Sequence, residues 1–270
     1  MVNLSVLFGI LAAAAMMIVT LAMSNLNSAI LLNVHATVVV LGGTFAASLL
    51  CFSFSSFAKM TKVLFKKVIF GQGITAEAVI SEVTDLARGY RLEDDYLRTR
   101  LPALKTPFLI EAVEMINKGV VSPERLARIL RKRSQYLSQR YGEESQIFKV
   151  IAKFPPAFGL MGTTLGMIGL MQSMGSEDAI HHIGPTMGVA LIATFYGIAL
   201  ANLLFIPMGE HLAKLNRHDA LLRKIVIEGI LMVIEKQHHV IVAEDLKSYL
   251  LPGARAKLRD LDRPSENKAA

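Results

Sequence analysis

Four stretches of the chain are apolar over about 20 residues each, and between them the pattern changes to apolar residues at helical spacing among charges. The runs are VLFGILAAAAMMIVTLAM (residues 6–23), AILLNVHATVVVLGGTFAASLLCF (29–52), IAKFPPAFGLMGTTLGMIGLMQSM (151–174) and IGPTMGVALIATFYGIALANLLFIPM (183–208). About 20 apolar residues of helix cross a hydrocarbon core, so each run predicts a membrane span. No Lys or Arg precedes the first run and its apolar length is long for a signal peptide, so it reads as a retained span.

Between the second and third runs, the stretch 53–150 reads as helical throughout. TAEAVISEVTDLARGYRL carries apolar residues at helical spacing, and TPFLIEAVEMINKG ends on Gly119 as a C-cap. SPERLARILRKRSQYLSQR opens on Ser122 as N-cap with Pro123 at the first helical position. After the fourth run, DALLRKIVIEGILMVIEKQHHVIVAEDLKSYL predicts one longer helix and one short one. The final stretch, LPGARAKLRDLDRPSENKAA, is polar with Pro and Gly and reads as a fraying tail. The pattern gives no strand and no internal repeat. It predicts an all-α membrane protein with four transmembrane helices, a large helical cytoplasmic loop between the second and third, and a helical C-terminal region. The divisions are a first transmembrane pair (1–52), a helical loop (53–150), a second transmembrane pair (151–208) and C-terminal helices with a tail (209–270).

Composition agrees: the 270 residues are 53% hydrophobic yet carry a net charge of +7, and the mean hydropathy is positive (+0.45). The positive charges assign sides. KMTKVLFKK follows the second run, Lys149 and Lys153 border the third, and Lys214, Arg217, Arg223 and Lys224 follow the fourth. The link between the last two runs holds Glu177 and Asp178 but no Lys or Arg. Both termini and the loop are therefore expected on the cytoplasmic side of an inner membrane. Basic residues interleaved with acids beside spans do not point to nucleic acid. A single cysteine, Cys51, excludes an intramolecular disulfide and any CxxC site.

Within the spans there is no Asp, Glu or Arg, and the only Lys is the interfacial Lys153. Intramembrane carboxylates are the usual carriers of protons and cations, so either the chain conducts nothing or another chain supplies the acid. His35, near the start of the second run, reads as an interfacial or packed residue. Gly159, Gly162 and Gly166 share one face of the third span, with Thr163 and Thr164 beside it and Thr194 near Tyr196 and Gly197 in the fourth. Two readings stay open: the hydroxyls line a narrow passage against a foreign acidic helix, or they tighten packing inside this chain. Pro156 and Pro207 stand at similar depth at the cytoplasmic ends of the two spans, as hinges or as plain helix ends. His181–His182 and His238–His239 are adjacent pairs without the i, i+4 spacing of a helical zinc site, and no metal site, catalytic motif or cofactor is expected.

Taken in order, LLNVHATVVVLGGTFAASLL, FPPAFGLMGTTLGMIGLM, IGPTMGVALIATFYGIALANLLFIP and IEGILMVIEKQHHVIVAEDLKSYLLPGAR resemble the MotA/PomA family of flagellar stator subunits over almost the whole chain. The resemblance implies a homo-pentamer in the lipid bilayer around two copies of a single-span MotB/PomB-type partner, whose aspartate carries the ion. Ion flow then rotates the pentamer, and charged loop residues push on the rotor protein FliG. By the same resemblance Thr163, Thr194, Gly162, Gly166, Ala193 and Tyr196 line the ion path, and Pro156 and Pro207 couple it to the loop.

Two positions depart from the family pattern. The loop Arg and Glu usually stand about eight residues apart, whereas here Arg88 and Glu93 are five apart, with Arg91, Asp94 and Asp95 as rival rotor contacts. Sodium-driven members tend to carry two adjacent threonines in the fourth span, and here Ala193 precedes Thr194. One fewer oxygen weakens a site for a hard cation, so the expected coupling ion is H+, with Thr163 keeping Na+ open. The alternatives are a TolQ/ExbB-type motor subunit serving an outer-membrane process, against which the four spans and late loop speak, and a non-conducting membrane scaffold.

Overall fold

The computed structural model describes residues 33–54, 73–119, 122–175 and 179–261, with scattered helical positions between 8 and 23. The first apolar run, KMTKVLFKK, Glu177, Asp178 and residues 262–270 lie outside the continuously described residues. Among the described residues the chain is all helix, with no strand. It divides into two compact units, one made of residues 1–72 and 141–214 and the other of 73–140 and 215–270.

The first unit holds the apolar helices. Helix α1 (Val34–Cys51) starts at Asn33, whose Oδ1 accepts the Ala36 N–H at 3.0 Å, while the Thr37 hydroxyl donates to the Asn33 carbonyl at 2.8 Å. A π turn over Val38–Gly42 interrupts its regular winding. Further along the chain come α6 (Phe154–Ser173) and α7 (Ala179–Leu200), packed side by side. Gly43 of α1 admits the ring of Phe158 from α6, which a side chain at Gly43 would displace.

In the second unit, α2 (Ala76–Leu92), α3 (Tyr96–Arg100), α4 (Pro107–Asn117), the start of α5 (Pro123–Ile151), the end of α8 (Ile206–Ile234) and α9 (His239–Lys247) precede α10 (Pro252–Leu261). Their apolar faces meet in one core that includes Val79, Val83, Leu86, Leu109, Val113, Leu126, Leu130, Ile225, Ile230 and Leu246. Local chemistry sets the ends. Thr75 accepts from Ala78 N–H at 3.3 Å, Ser122 accepts from Arg125 N–H at 3.4 Å, and Gly119 takes the left-handed φ of +65° after α4. Gly229, within the EGIL stretch, lets α8 lie against α2 and α9. A methyl group there would sit 2.5 Å from Val83 Cγ1 and 3.0 Å from Leu246 Cδ1.

Two helices outrun their sequence-based ends. Helix α5 continues past Arg140 to Ile151, because YGEESQIFKVI holds no proline and its Phe148 and Ile151 are buried. Helix α8 begins at Ile206, so the helix expected after the fourth span is continuous with the end of that span. Ser145 Oγ donates to the Gly209 carbonyl at 2.8 Å and Lys149 pairs with Glu210 at 2.8 Å, joining these stretches within the first unit.

Candidate functional site

The small face of α6 is filled by α7. A methyl group on Gly159 would lie 2.8 Å from the Ala193 carbonyl oxygen, one on Gly162 would lie 2.7 Å from Ala193 Cβ, and one on Gly166 would lie 2.6 Å from Ala190 Cβ. The face that sequence reasoning offered to a foreign helix is therefore occupied within this chain. Ala193, only 2% exposed, packs inside this seam and against Ala36 and Val40 of α1. Close backbone approach through Gly and Ala is how apolar helices gain contact where no hydrophobic driving force separates them from lipid.

Inside the seam the hydroxyls of Thr163 and Thr194 bond to each other. Three carbonyl contacts surround them: Thr163 Oγ1 lies 3.2 Å from Gly159 O and 3.0 Å from Ala190 O, and Thr194 Oγ1 lies 3.2 Å from Gly159 O. Two hydroxyls bring two protons to more acceptors than that, so the pair is an oxygen-rich, half-buried point with no carboxylate on it. Thr164 is exposed and returns its hydroxyl to Leu160 O at 2.9 Å. Tyr196 is half-buried against the cluster of Ala36, Val40, Ile192 and Ala193, and His35 is exposed.

The two prolines have unlike settings. Pro156 lies in the first turn of α6, just after the turn at residues 152–153 that separates α5 from α6, where a missing N–H costs little. The Pro155 carbonyl rests on Gly197, which admits no side chain. Pro207 lies within the first turn of α8, directly after a π turn over Ala201–Phe205. A π turn holds one extra residue, which accommodates the hydrogen bond that the proline ring cannot make. The structure also shows Pro185 inside α7, a proline that the sequence pattern had placed only at a span start.

At the end of α2, Arg88, Arg91, Glu93, Asp94 and Asp95 are all exposed. Glu93 ends the helix and Asp95 opens α3, with Arg98 N–H and Thr99 N–H on its carbonyl at 3.1 and 3.2 Å. Asp94 is held by Lys236, whose Nζ is 2.6 Å from Asp94 Oδ1 and 5.4 Å from the centre of the Tyr90 ring. The nearby carboxylate raises the Lys236 pKa. Arg88, Arg91, Glu93 and Asp95 make no ion pair among the described residues, so Arg88 and Glu93 are not joined to each other.

A family model described as the MotA/TolQ/ExbB proton channel family matches residues 101–224. Motility protein A of Borreliella burgdorferi is 30% identical over 180 residues, covering 67% of each chain. The chain belongs to the MotA family of flagellar stator subunits. Chemotaxis protein PomA of Vibrio alginolyticus, 24% identical over 254 residues, spans 94% of this chain and 98% of its own. The fold is similar to that of a chain in the C. jejuni MotAB structure, with a TM-score of 0.82 at 20% identity over 99% of this chain and 100% of that one. It is equally similar to one in the flagellar MotAB stator complex from Bacillus subtilis, at 0.82 and 24% identity over 93% and 98%.

A MotA-family subunit is an inner-membrane protein, and three described helical stretches are long and apolar enough to cross a membrane: Val34–Cys51, Pro123–Gln172 and Ile183–Ile234. Apolar side chains on these helices stay uncovered, among them Leu160, Leu165, Leu191, Phe195 and Ile198. Such a surface suits lipid or neighbouring apolar helices. Two features of this stator subunit had no signal in the sequence reading. The π turns fall in VVVLG and ANLLF, stretches with no proline and no charge, and Lys236 stands among the charges of an ordinary helix end. No group of three or more His, Cys, Asp or Glu that could hold a metal ion occurs among the described residues.

Proposed function

We propose that this stator subunit forms an ion-conducting complex with a single-span MotB/PomB-type partner, couples H+ influx to rotation, and passes torque to the rotor protein FliG through the charges at the end of α2. The observation that carries it is the Thr163–Thr194 hydroxyl pair on a span seam that has no carboxylate. Oxygen atoms at such a point hold water or an ion briefly, but the titrating group has to come from elsewhere, and an aspartate on the partner's span fits. The chain itself is no enzyme in this reading and takes no cofactor beyond the transported ion.

In this arrangement Thr163, Thr194 and Tyr196 border the path, while Gly162, Gly166 and Ala193 set the spacing of the seam behind it. Pro156 and Pro207 relay its movement to the helices beyond. Five copies of the chain in the bilayer surround two partner helices, with four spans each, both termini in the cytoplasm, and residues 53–150 and 209–270 facing the rotor. The exposed apolar faces of α1, α6 and α7 supply the contacts among copies and with lipid.

Tethered-cell rotation tests this, with the chain co-expressed with its partner and compared with Thr194→Ala. Rotation that requires the partner, survives removal of external sodium and stops with a protonophore is the expected result. Loss of rotation on sodium removal would reassign the ion to Na+, and indifference to both gradients would overturn the reading.

A further inference from the structure

Helix α8 ends in a turn where Lys236 N–H donates to Val233 O at 3.0 Å and Gln237 N–H to Met232 O at 3.1 Å. This pair of hydrogen bonds places one residue in the left-handed region, a position that favours glycine. Here that residue is Lys236, with φ of +53°, the one non-glycine residue with positive φ among the described residues. A lysine held in a glycine conformation implies that its side chain is wanted there. That side chain reaches the end of α2, where it meets Asp94 Oδ1 at 2.6 Å and lies over the Tyr90 ring.

We infer that Lys236 is a positioning residue for the rotor-facing turn: by holding Asp94 it fixes the loop between α2 and α3 and decides which charges that loop presents. This rests on the rotor-contact reading above. With Asp94 neutralised by its partner, Glu93 and Asp95 are the carboxylates left to face outwards, beside Arg88, Arg91 and an 85% exposed Leu92. Both partners of the Lys236–Asp94 pair are largely exposed, at 49% and 80%, and exposed pairs contribute little to stability. Its consequence is therefore geometric. Charges presented on a partner surface act through their arrangement, since misplaced like charges repel the same partner that well-placed ones attract.

The test uses the full stator complex with Lys236→Gly, Lys236→Arg, Asp94→Asn and the exchanged pair Asp94→Lys with Lys236→Asp. Hydrogen exchange of the residue 93–97 amides is measured on purified complex, and stall torque in tethered cells. Lys236→Gly removes the side chain while relieving the backbone, so the complex keeps its melting temperature. Its 93–97 amides are expected to exchange about fivefold faster, the scale of one exposed ion pair, and its torque to fall. Asp94→Asn should behave alike, Lys236→Arg as the unmodified chain, and the exchanged pair should regain most of the torque. Unchanged exchange in Lys236→Gly overturns the inference whatever the rotor surface is. Arg88→Ala separates the remaining cases. If it lowers torque while Lys236→Gly does not, the inference alone fails; if neither lowers torque, the rotor-contact reading of this surface fails with it.

Discussion

The carbonyl oxygen of Ala193 lies over Gly159 so closely that a methyl group on Gly159 would be 2.8 Å from it and 3.0 Å from Thr194 Cα. Backbone atoms cannot yield as a flexible side chain does, so Gly159→Ala forces α6 and α7 apart and pulls the Thr163 and Thr194 hydroxyls out of reach. The expected cost is about 1–3 kcal/mol from overpacking. It should appear as a lower melting temperature of the detergent-purified complex and as lost swimming. Gly169→Ala is the matched comparison, because nothing lies within 4 Å of a methyl group there. It should be neutral or stabilising by up to about 1 kcal/mol, as glycine is a poor helix former. Equal effects of the two changes would mean that the seam is not the tight element described.

Gly229 gives the same argument in the core of the second unit. A methyl group there meets Val83 Cγ1 at 2.5 Å and Leu246 Cδ1 at 3.0 Å. These are side chains and can shift, so Gly229→Ala should cost about 1–3 kcal/mol, and Gly229→Val should prevent folding of this unit. The expected signature is protease sensitivity of α2 and α9 while the α6–α7 stretch remains intact. Resistance equal to the unmodified chain would contradict the packing.

The small face of α6 and the caps at Gly119 and Ser122 were legible in the sequence because each rests on residue types with one dominant physical use. What fills the face was not. Gly159, Gly162 and Gly166 announce close approach, but a foreign helix and α7 make the same demand on them, and only the positions of Ala190 and Ala193 decide. The continuous run of α5 through Arg140 was only partly legible: 53–150 reads as helical, but nothing in YGEESQIFKVI says whether one helix or two cross it. Lys236 was illegible for a different reason: its left-handed backbone breaks the local rule that places glycine there, and the compensation, Asp94, is 142 residues away.

Glu82 is a second residue that the pattern alone does not mark. Its Oε1 accepts the Lys105 N–H at 3.0 Å and its Oε2 the Thr106 N–H at 3.3 Å, fastening the segment before α4 to the side of α2. A carboxylate at that helix start also faces the positive end of the α4 dipole. Glu82→Ala leaves two N–H groups without it and should cost about 1–3 kcal/mol. Glu82→Gln, whose amide offers one acceptor in place of two, should lose roughly half as much. Thermal melting of the two variants against the unmodified complex checks the order, which would fail if Gln were as damaging as Ala.

Tyr249 supplies a pH dependence. Burial is the largest cause, followed by a hydrogen bond to Glu228 and the charges of Glu228 and Asp245, and together they push its phenol up to about 12. An unfolded tyrosine ionises near pH 10. The folded state therefore keeps its proton where the unfolded state loses it, and the stabilisation is complete below about pH 10 and disappears as pH rises through about 12. Melting temperature should fall more steeply across that window in the unmodified chain than in Tyr249→Phe, which has no proton to lose. A difference spectrum of phenolate absorbance between the two proteins should show one group titrating near 12. If that group instead ionises near 10, neither the burial of Tyr249 nor its Glu228 contact holds in solution, and the alkaline edge of stability has to be assigned elsewhere.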